Sequence, residues 1–214
     1  MKKILVVDDH TVVRQGVIRT LETIPEYRFA FEEAANEAEA LHRCQGTCYD
    51  LILLDLSLQG KNGIEVLKQL KRLAPKVPVL VLSMYPVEQY AARAIRAGAS
   101  GYLNKESAFA ELQTAVRRLL GGRKYLNEEV ADLLLDALSD ERDPQEPASE
   151  ILSDREFEVL CMMASGKTMT EIAQELVLSV KTISTYRGRI LEKLRLRTTG
   201  EMIAYAVKSG LGSI

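Results

Sequence analysis

Two rhythms of apolar and polar residues alternate along residues 1–121. Leu51-Ile52-Leu53-Leu54 and Val79-Leu80-Val81-Leu82 contain no polar member, the pattern of a parallel strand buried on both faces beneath helices. Amphipathic stretches with apolar positions three and four apart separate such runs, which is helical spacing. Strands are predicted at 3–8, 28–35, 51–55, 77–83 and 101–103, and helices at 10–23, 37–46, 63–73, 87–97 and 108–120. The alternation predicts an α/β fold: a doubly wound, flavodoxin-like, five-stranded parallel sheet. Asn36 with Glu39 and Asn62 with Glu65 mark helix starts, Pro86 suits a first turn, and Gly98 and Gly121 suit helix stops.

Beyond residue 121 the rhythm changes. A helix is predicted at 128–138, followed by Ser139-Asp140-Glu141-Arg142-Asp143-Pro144-Gln145-Glu146-Pro147, which has no aliphatic or aromatic residue and two prolines and reads as a flexible linker. Three Ser/Thr-x-x-Glu patterns then come close together, at Ser153/Glu156, Thr168/Glu171 and Thr198/Glu201, and Ser179 supplies a further cap. This last part is predicted to be all-helical, with helices at 171–176 and 180–194 joined by a tight turn at Val177-Leu178-Ser179. The resulting division is a first domain at 1–121, a helix and acidic linker at 122–150, and a second domain at 151–214.

Composition removes several classes of function. The 214 residues are 47% hydrophobic and 27% charged, which suits two ordinary globular cores and neither a disordered chain nor a repeat array. The apolar run that opens the chain stops at Asp8-Asp9, too short for a secretory signal, and no segment is long enough to span a bilayer. A soluble, cytoplasmic protein without membrane contact is expected. Cys44, Cys48 and Cys161 form no disulfide framework, and with two histidines in the chain a structural zinc site lacks ligands. The net charge of −2 conceals a basic cluster of Lys181, Arg187, Arg189, Lys193, Arg195 and Arg197, opposed only by Glu192 between positions 181 and 197. Such clustering can attract a polyanion, though a solvated helix face would also account for it.

Ligands of an open parallel sheet collect beyond the carboxyl ends of its strands. Asp8 and Asp9 follow the first predicted strand, Asp55 closes the third, Ser83 closes the fourth, and Lys105 stands just beyond the fifth. Carboxylates gathered there repel one another, and either a proton or a hard divalent cation would relieve that repulsion; Mg²⁺ fits, since it prefers one or two carboxylates plus water and a phosphate oxygen. Asp55 could then attack phosphorus and become an acyl phosphate, provided Mg²⁺ and Lys105 neutralise the phosphoryl oxygens and the Ser83 hydroxyl donates to them. A haloacid-dehalogenase phosphatase would need a second aspartate two residues after Asp55, where Ser57 stands. A nucleotide-dependent oxidoreductase would need a glycine-rich turn where Asp9-His10-Thr11 stands.

On these residues the segment 1–121 resembles the receiver domain of two-component response regulators. The resemblance implies a sensor histidine kinase as phosphoryl donor and Asp55 as acceptor. It also implies direct Mg²⁺ ligation by Asp9 and Asp55, contact through water by Asp8 and through the backbone carbonyl by Ser57, and a switch made of Ser83 and the aromatic Tyr102. No enzyme activity is implied beyond the domain's own phosphorylation and dephosphorylation. Glu106 stands where many receivers have proline.

In the last domain, Ile183, Ile190 and Leu194 fall on one side of the predicted helix 180–194, whereas Lys181, Thr185, Gly188 and Glu192 face the other way. That outward surface is short-chained and hydrogen-bonding, as a helix entering the DNA major groove requires. Ser184, Thr185 and Gly188 are the candidates for approach to base edges, and Lys181, Thr182, Tyr186 and Arg189 for phosphate contact. Arg187 points toward the apolar side and is left out. Residues 151–211 resemble the LuxR/FixJ-type DNA-binding domain, through the stretches beginning Leu152-Ser153-Asp154-Arg155-Glu156, Gly166-Lys167-Thr168 and Leu178-Ser179-Val180-Lys181. The resemblance implies double-stranded DNA as partner and a homodimer formed through the helix predicted at 201–209. Together the two domains resemble a NarL/FixJ-type regulator, a phosphorylation-dependent transcriptional regulator. The alternative from another class is a binding module that holds DNA constitutively, its first domain serving only for docking.

Overall fold

A computed structural model describes residues 1–58, 60–105, 108–128, 130–132 and 151–211. The chain divides into two compact units, Met1–Leu134 and Leu135–Ile214. The greater part of the helix predicted at 128–138, the acidic stretch 139–147 and Glu106 lie outside the described residues.

In the first unit five parallel strands, β1 (Lys2–Val7), β2 (Phe29–Ala34), β3 (Leu51–Asp55), β4 (Val79–Ser83) and β5 (Gly101–Asn104), alternate with α1 (Thr11–Glu22), α2 (Glu37–Gly46), α3 (Gly63–Leu73), α4 (Val87–Arg96) and α5 (Ala108–Leu120). Their order in the sheet is β2-β1-β3-β4-β5, the doubly wound arrangement predicted. Every residue of β3 and β4 is buried, which is why those strands tolerate no polar residue before their last position. Strand order reverses between β1 and β3, so the crevice at their carboxyl ends is the switch point of the sheet. Asn36 and Asn62 cap α2 and α3 as anticipated, Asn36 accepting from the Glu39 amide and Asn62 from those of Ile64 and Glu65. At the end of α5 it is Gly122, not Gly121, that adopts positive φ.

The chain beyond α5 remains attached to this unit. The Tyr125 amide donates to the Ser100 carbonyl, Gly101 forms a parallel bridge with Tyr125, and Tyr125 and Val130 are buried. Asn127 caps a further helical turn by accepting from the Val130 amide.

Close packing at two positions yields measurable expectations. A Cβ on Gly63 would lie 2.2 Å from the Leu56 Cα and 2.4 Å from its carbonyl oxygen, because the start of α3 presses on the backbone that leaves Asp55. Backbone cannot swing aside as a side-chain tip can. Gly63→Ala should therefore lower the unfolding free energy of the first unit by about 2–3 kcal/mol in urea denaturation, the upper range of overpacking costs. On β2, the Glu32 carboxylate accepts from Tyr49 and pairs with Lys3 at 2.6 Å and Arg43 at 3.3 Å. The Lys3 ammonium, foremost, and the Tyr49 hydroxyl hold Glu32 at about 2, below its ordinary 4.5. Its stabilising contribution is complete above the unfolded value and is lost as pH falls through about 2. Thermal scans between those limits should show Glu32→Gln flattening part of the acid decline seen in the parent protein.

The second unit is helical in all its described elements: α6 (Asp154–Ala164), α7 (Met169–Glu175), α8 (Val180–Lys193) and α9 (Thr199–Lys208). Its core joins Phe157, Val159 and Leu160 of α6 to Ile172, Ile183, Ile190, Met202 and Ala206. Ser153 and Thr168 form full reciprocal capping boxes with Glu156 and Glu171. Thr198 caps α9, but Glu201 reaches the Arg197 amide rather than that of Thr198. Between α7 and α8 the chain turns through Val177 at φ 53, a left-handed conformation that a β-branched residue rarely adopts.

Candidate functional site

Register brings the predicted chemical residues to one end of the sheet. Val7 pairs with Leu54, so Asp8 follows β1 directly beside Asp55; Ser83 pairs with Asn104, so Lys105 leaves β5 one step beyond Ser83. The Lys105 amide donates to the Ser83 carbonyl, fixing that step. Asp8, Asp55 and Ser83 are buried, and no apolar neighbour could satisfy their polar atoms.

The Lys105 ammonium lies 2.7 Å from Asp8 Oδ2 and 2.7 Å from Asp55 Oδ2, bridging the carboxylates across the switch point. Asp55 Oδ1 accepts from the Ser57 amide at 3.0 Å, and Asp8 Oδ1 accepts from the His10 amide at 2.7 Å. Burial pushes the Asp55 carboxyl above its ordinary range, and the Lys105 charge counters this only in part. For Lys105 burial pulls downward, but the charge and hydrogen bonds of Asp55 and Asp8 outweigh it and hold the ammonium above its usual value.

Asp9 differs from its neighbours. Its Oδ1 is buried without a hydrogen bond among the described residues, although His10 Nδ1 approaches to 2.7 Å. Asp8, Asp9, His10 and Asp55 each offer one ligand atom, all within 4.8 Å of one another. An orphaned carboxylate oxygen among other carboxylates fits a hard divalent cation such as Mg²⁺, which prefers oxygen donors and would satisfy it. The histidine nitrogen is the donor such a cation would least favour. Its place beside the carboxylates was not foreseen; adjacency to Asp9 in the sequence was the available signal.

Ser83 is fully buried, and its Oγ accepts from the Tyr85 amide at 3.0 Å. That bond uses a lone pair and leaves the hydroxyl proton to donate. Tyr102 is also fully buried, its hydroxyl donating to the Tyr85 carbonyl at 2.8 Å. The aromatic ring thus occupies an inward position with its polar tip satisfied, and Tyr85 ties it to Ser83.

The residues assigned to DNA contact lie on α8. Lys181, Thr185, Gly188 and Arg189 are exposed, and Thr182, Ser184 and Tyr186 are partly so. Ser179, Lys181, Thr182, Thr185, Tyr186 and Arg189 line a shallow depression of about 360 Å³. Neither Lys181 nor Arg189 has an ion-pair partner among the described residues, whereas Lys193 pairs with the buried Glu156 at 2.7 Å. Arg187 turns inward and donates to Thr199 Oγ1 at 3.2 Å. Within the basic cluster, then, some cations hold the fold and others face outward.

Residues 4–117 match the family described as response regulator receiver domain, and residues 150–206 match the bacterial regulatory proteins of the luxR family. The chain is 32% identical over 212 residues to the response regulator UvrY of Escherichia coli K12, covering 99% of this chain and 96% of that protein. It is 34% identical over 211 residues to the transcriptional regulatory protein LiaR of Bacillus subtilis 168, covering 99% of each. Among solved structures, RcsB from Salmonella enterica serovar Typhimurium, bound to the promoter rprA with the phosphomimetic BeF3⁻, is similar with a TM-score of 0.64. Identity there is 25%, with 100% of this chain and 99% of that chain covered.

Proposed function

This chain belongs to the response regulators of the NarL/FixJ type, joining a receiver domain to a LuxR-type DNA-binding domain, and from that premise we propose that Asp55 is its phosphoacceptor and that phosphorylation promotes dimeric binding to double-stranded DNA. The observation that carries this reading is the Lys105 ammonium set 2.7 Å from both Asp8 and Asp55 at the switch point. A sensor histidine kinase donates the phosphoryl group. The Asp55 carboxylate attacks phosphorus, a P–O bond forms, the P–N bond to the kinase imidazole breaks, and the imidazole leaves with the electron pair. Asp8, Asp9, Asp55 and the Ser57 backbone carbonyl are the groups that would hold Mg²⁺, which when bound supplies positive charge to the phosphoryl oxygens. Lys105 adds its own charge from the side of Asp8, and the spare proton of the Ser83 hydroxyl donates to a phosphoryl oxygen. Beyond transferring and hydrolysing its own phosphoryl group, the receiver performs no catalysis.

Phosphorylation places about −1.5 to −2 charges where one carboxylate stood. Ser83 and Lys105 are drawn toward it, and because Ser83 Oγ holds the Tyr85 amide while Tyr102 holds the Tyr85 carbonyl, the β4–α4 segment follows. Residues 1–121 serve as receiver, 122–150 as connection and 151–214 as the DNA-binding domain. The last helix supplies the dimer contact, where Val207 stands exposed beside the buried Ala206. In the described residues no helix is long and apolar enough to cross a membrane, and the protein acts in the cytoplasm.

Measuring DNA affinity by fluorescence anisotropy, with and without a small acyl-phosphate donor and Mg²⁺, tests the proposal. Tighter binding is expected on phosphorylation. Equal affinity in both states would favour constitutive binding. For scale, moving a two-state population from 1:99 to 99:1 takes about 5.5 kcal/mol of differential stabilisation, and a partial shift takes less.

A further inference from the structure

Arg14, on the first turn of α1, is a buried cation that the proposed chemistry does not use. Its Nη1 donates to the Asp8 backbone carbonyl at 2.6 Å, its Nε to Glu33 Oε2 at 2.7 Å, and its Nη2 to Thr11 Oγ1 at 3.1 Å. Glu33 lies on β2, and its second oxygen accepts from Gln15 at 2.9 Å. The planar fork therefore joins β2, α1 and the segment leaving β1 around a single peptide group.

That peptide group joins Asp8 to Asp9. A peptide is planar, so pinning its carbonyl oxygen also sets the direction of the Asp9 amide and the position of the Asp9 Cα. Asp8 is held elsewhere as well, by Lys105 and the His10 amide. Asp9 has weaker side-chain support: its Oδ1 forms no hydrogen bond among the described residues and meets only the exposed His10 imidazole, at 2.7 Å. Because that imidazole is itself exposed, the aim of the Asp9 carboxylate rests chiefly on the backbone, and the carbonyl there is held by Arg14. The guanidinium charge is matched by Glu33, so Arg14 fixes geometry without competing for the carboxylates.

We infer that Arg14 is a positioning residue for divalent-cation binding: through the Asp8 carbonyl it pre-sets Asp9 toward the metal site, with Glu33 orienting its guanidinium. The inference rests on the reading of Asp8, Asp9 and Asp55 as a Mg²⁺ site. Outer groups that orient metal ligands are typically worth 10–100-fold in affinity. Lysine at position 14 would keep the charge but lose the fork, so it should recover only part of that.

The experiment is a Mg²⁺ titration of the full chain, unphosphorylated, followed by the backbone amide shifts of Asp9 and Ser57, with metal-free thermal stability measured in parallel. Arg14→Gln should weaken Mg²⁺ binding about 10-fold or more, Arg14→Lys by an intermediate factor, and Glu33→Gln by a few-fold. A folded Arg14→Gln protein that binds Mg²⁺ as the parent does overturns the inference. If Arg14→Gln fails to fold, Glu33→Gln decides: unchanged affinity there overturns it, and weakened affinity at undiminished metal-free stability supports it. Failure of the parent protein itself to bind Mg²⁺ would instead remove the metal-site reading on which the inference stands.

Discussion

Asp55→Asn should take up no phosphoryl group from a small acyl-phosphate donor under conditions that label the parent protein, as read by intact mass. The asparagine amide nitrogen carries no lone pair able to displace a leaving group at phosphorus, and the amide oxygen is a weak nucleophile. The substitution preserves shape, so loss of labelling reports chemistry rather than collapse. Burial disfavours the Asp55 charge, and a neutral amide removes that cost; Lys105 keeps Asp8 at 2.7 Å as its remaining carboxylate. Thermal stability should therefore stay near the parent value. DNA affinity should no longer respond to the donor. Labelling of Asp55→Asn at the parent stoichiometry would place the acceptor elsewhere and remove the proposed mechanism.

Much of the fold was legible because burial leaves a periodic imprint. The strands 51–55 and the helices 37–46, 63–73 and 108–120 coincide with the observed β3, α2, α3 and α5. The strand predicted from residue 77 begins at Val79, since Pro78 lacks an amide to donate to a ladder and serves only through its carbonyl, which accepts from Ile52. The carboxylates could be read at strand ends because parallel strands place all such ends on one side of the sheet. What could not be read is which buried polar atoms meet. Arg14 looks like one more polar position on an amphipathic helix, and its distant partners stand on β2 and on the segment that leaves β1. The sequence puts Tyr125 in the connection because no periodicity ties it to β5; its place depends on Gly101, where a Cβ would lie 2.7 Å from the Tyr125 carbonyl oxygen.

The same distinction shapes the expected outcome on α8, where charge alone could not say which cations face outward. Lys181→Ala combined with Arg189→Ala should weaken binding to duplex DNA by about 100-fold or more near physiological salt, because each hydrogen bond to a charged group is worth about 1.5–3 kcal/mol. If both side chains neutralise phosphates, the loss should be nearly uniform across sequences, and the slope of log affinity against log salt should fall by about 2, one for each counterion no longer released. Arg187→Ala should behave differently. Its guanidinium is engaged with Thr199, so its removal should lower the stability of the second unit more than it changes the salt slope. Salt titrations by fluorescence anisotropy on two unrelated duplexes separate these cases. An unaltered slope in the double variant would mean that the outward face of α8 does not meet the phosphate backbone, and the assignment of Lys181 and Arg189 as phosphate contacts would be lost with it.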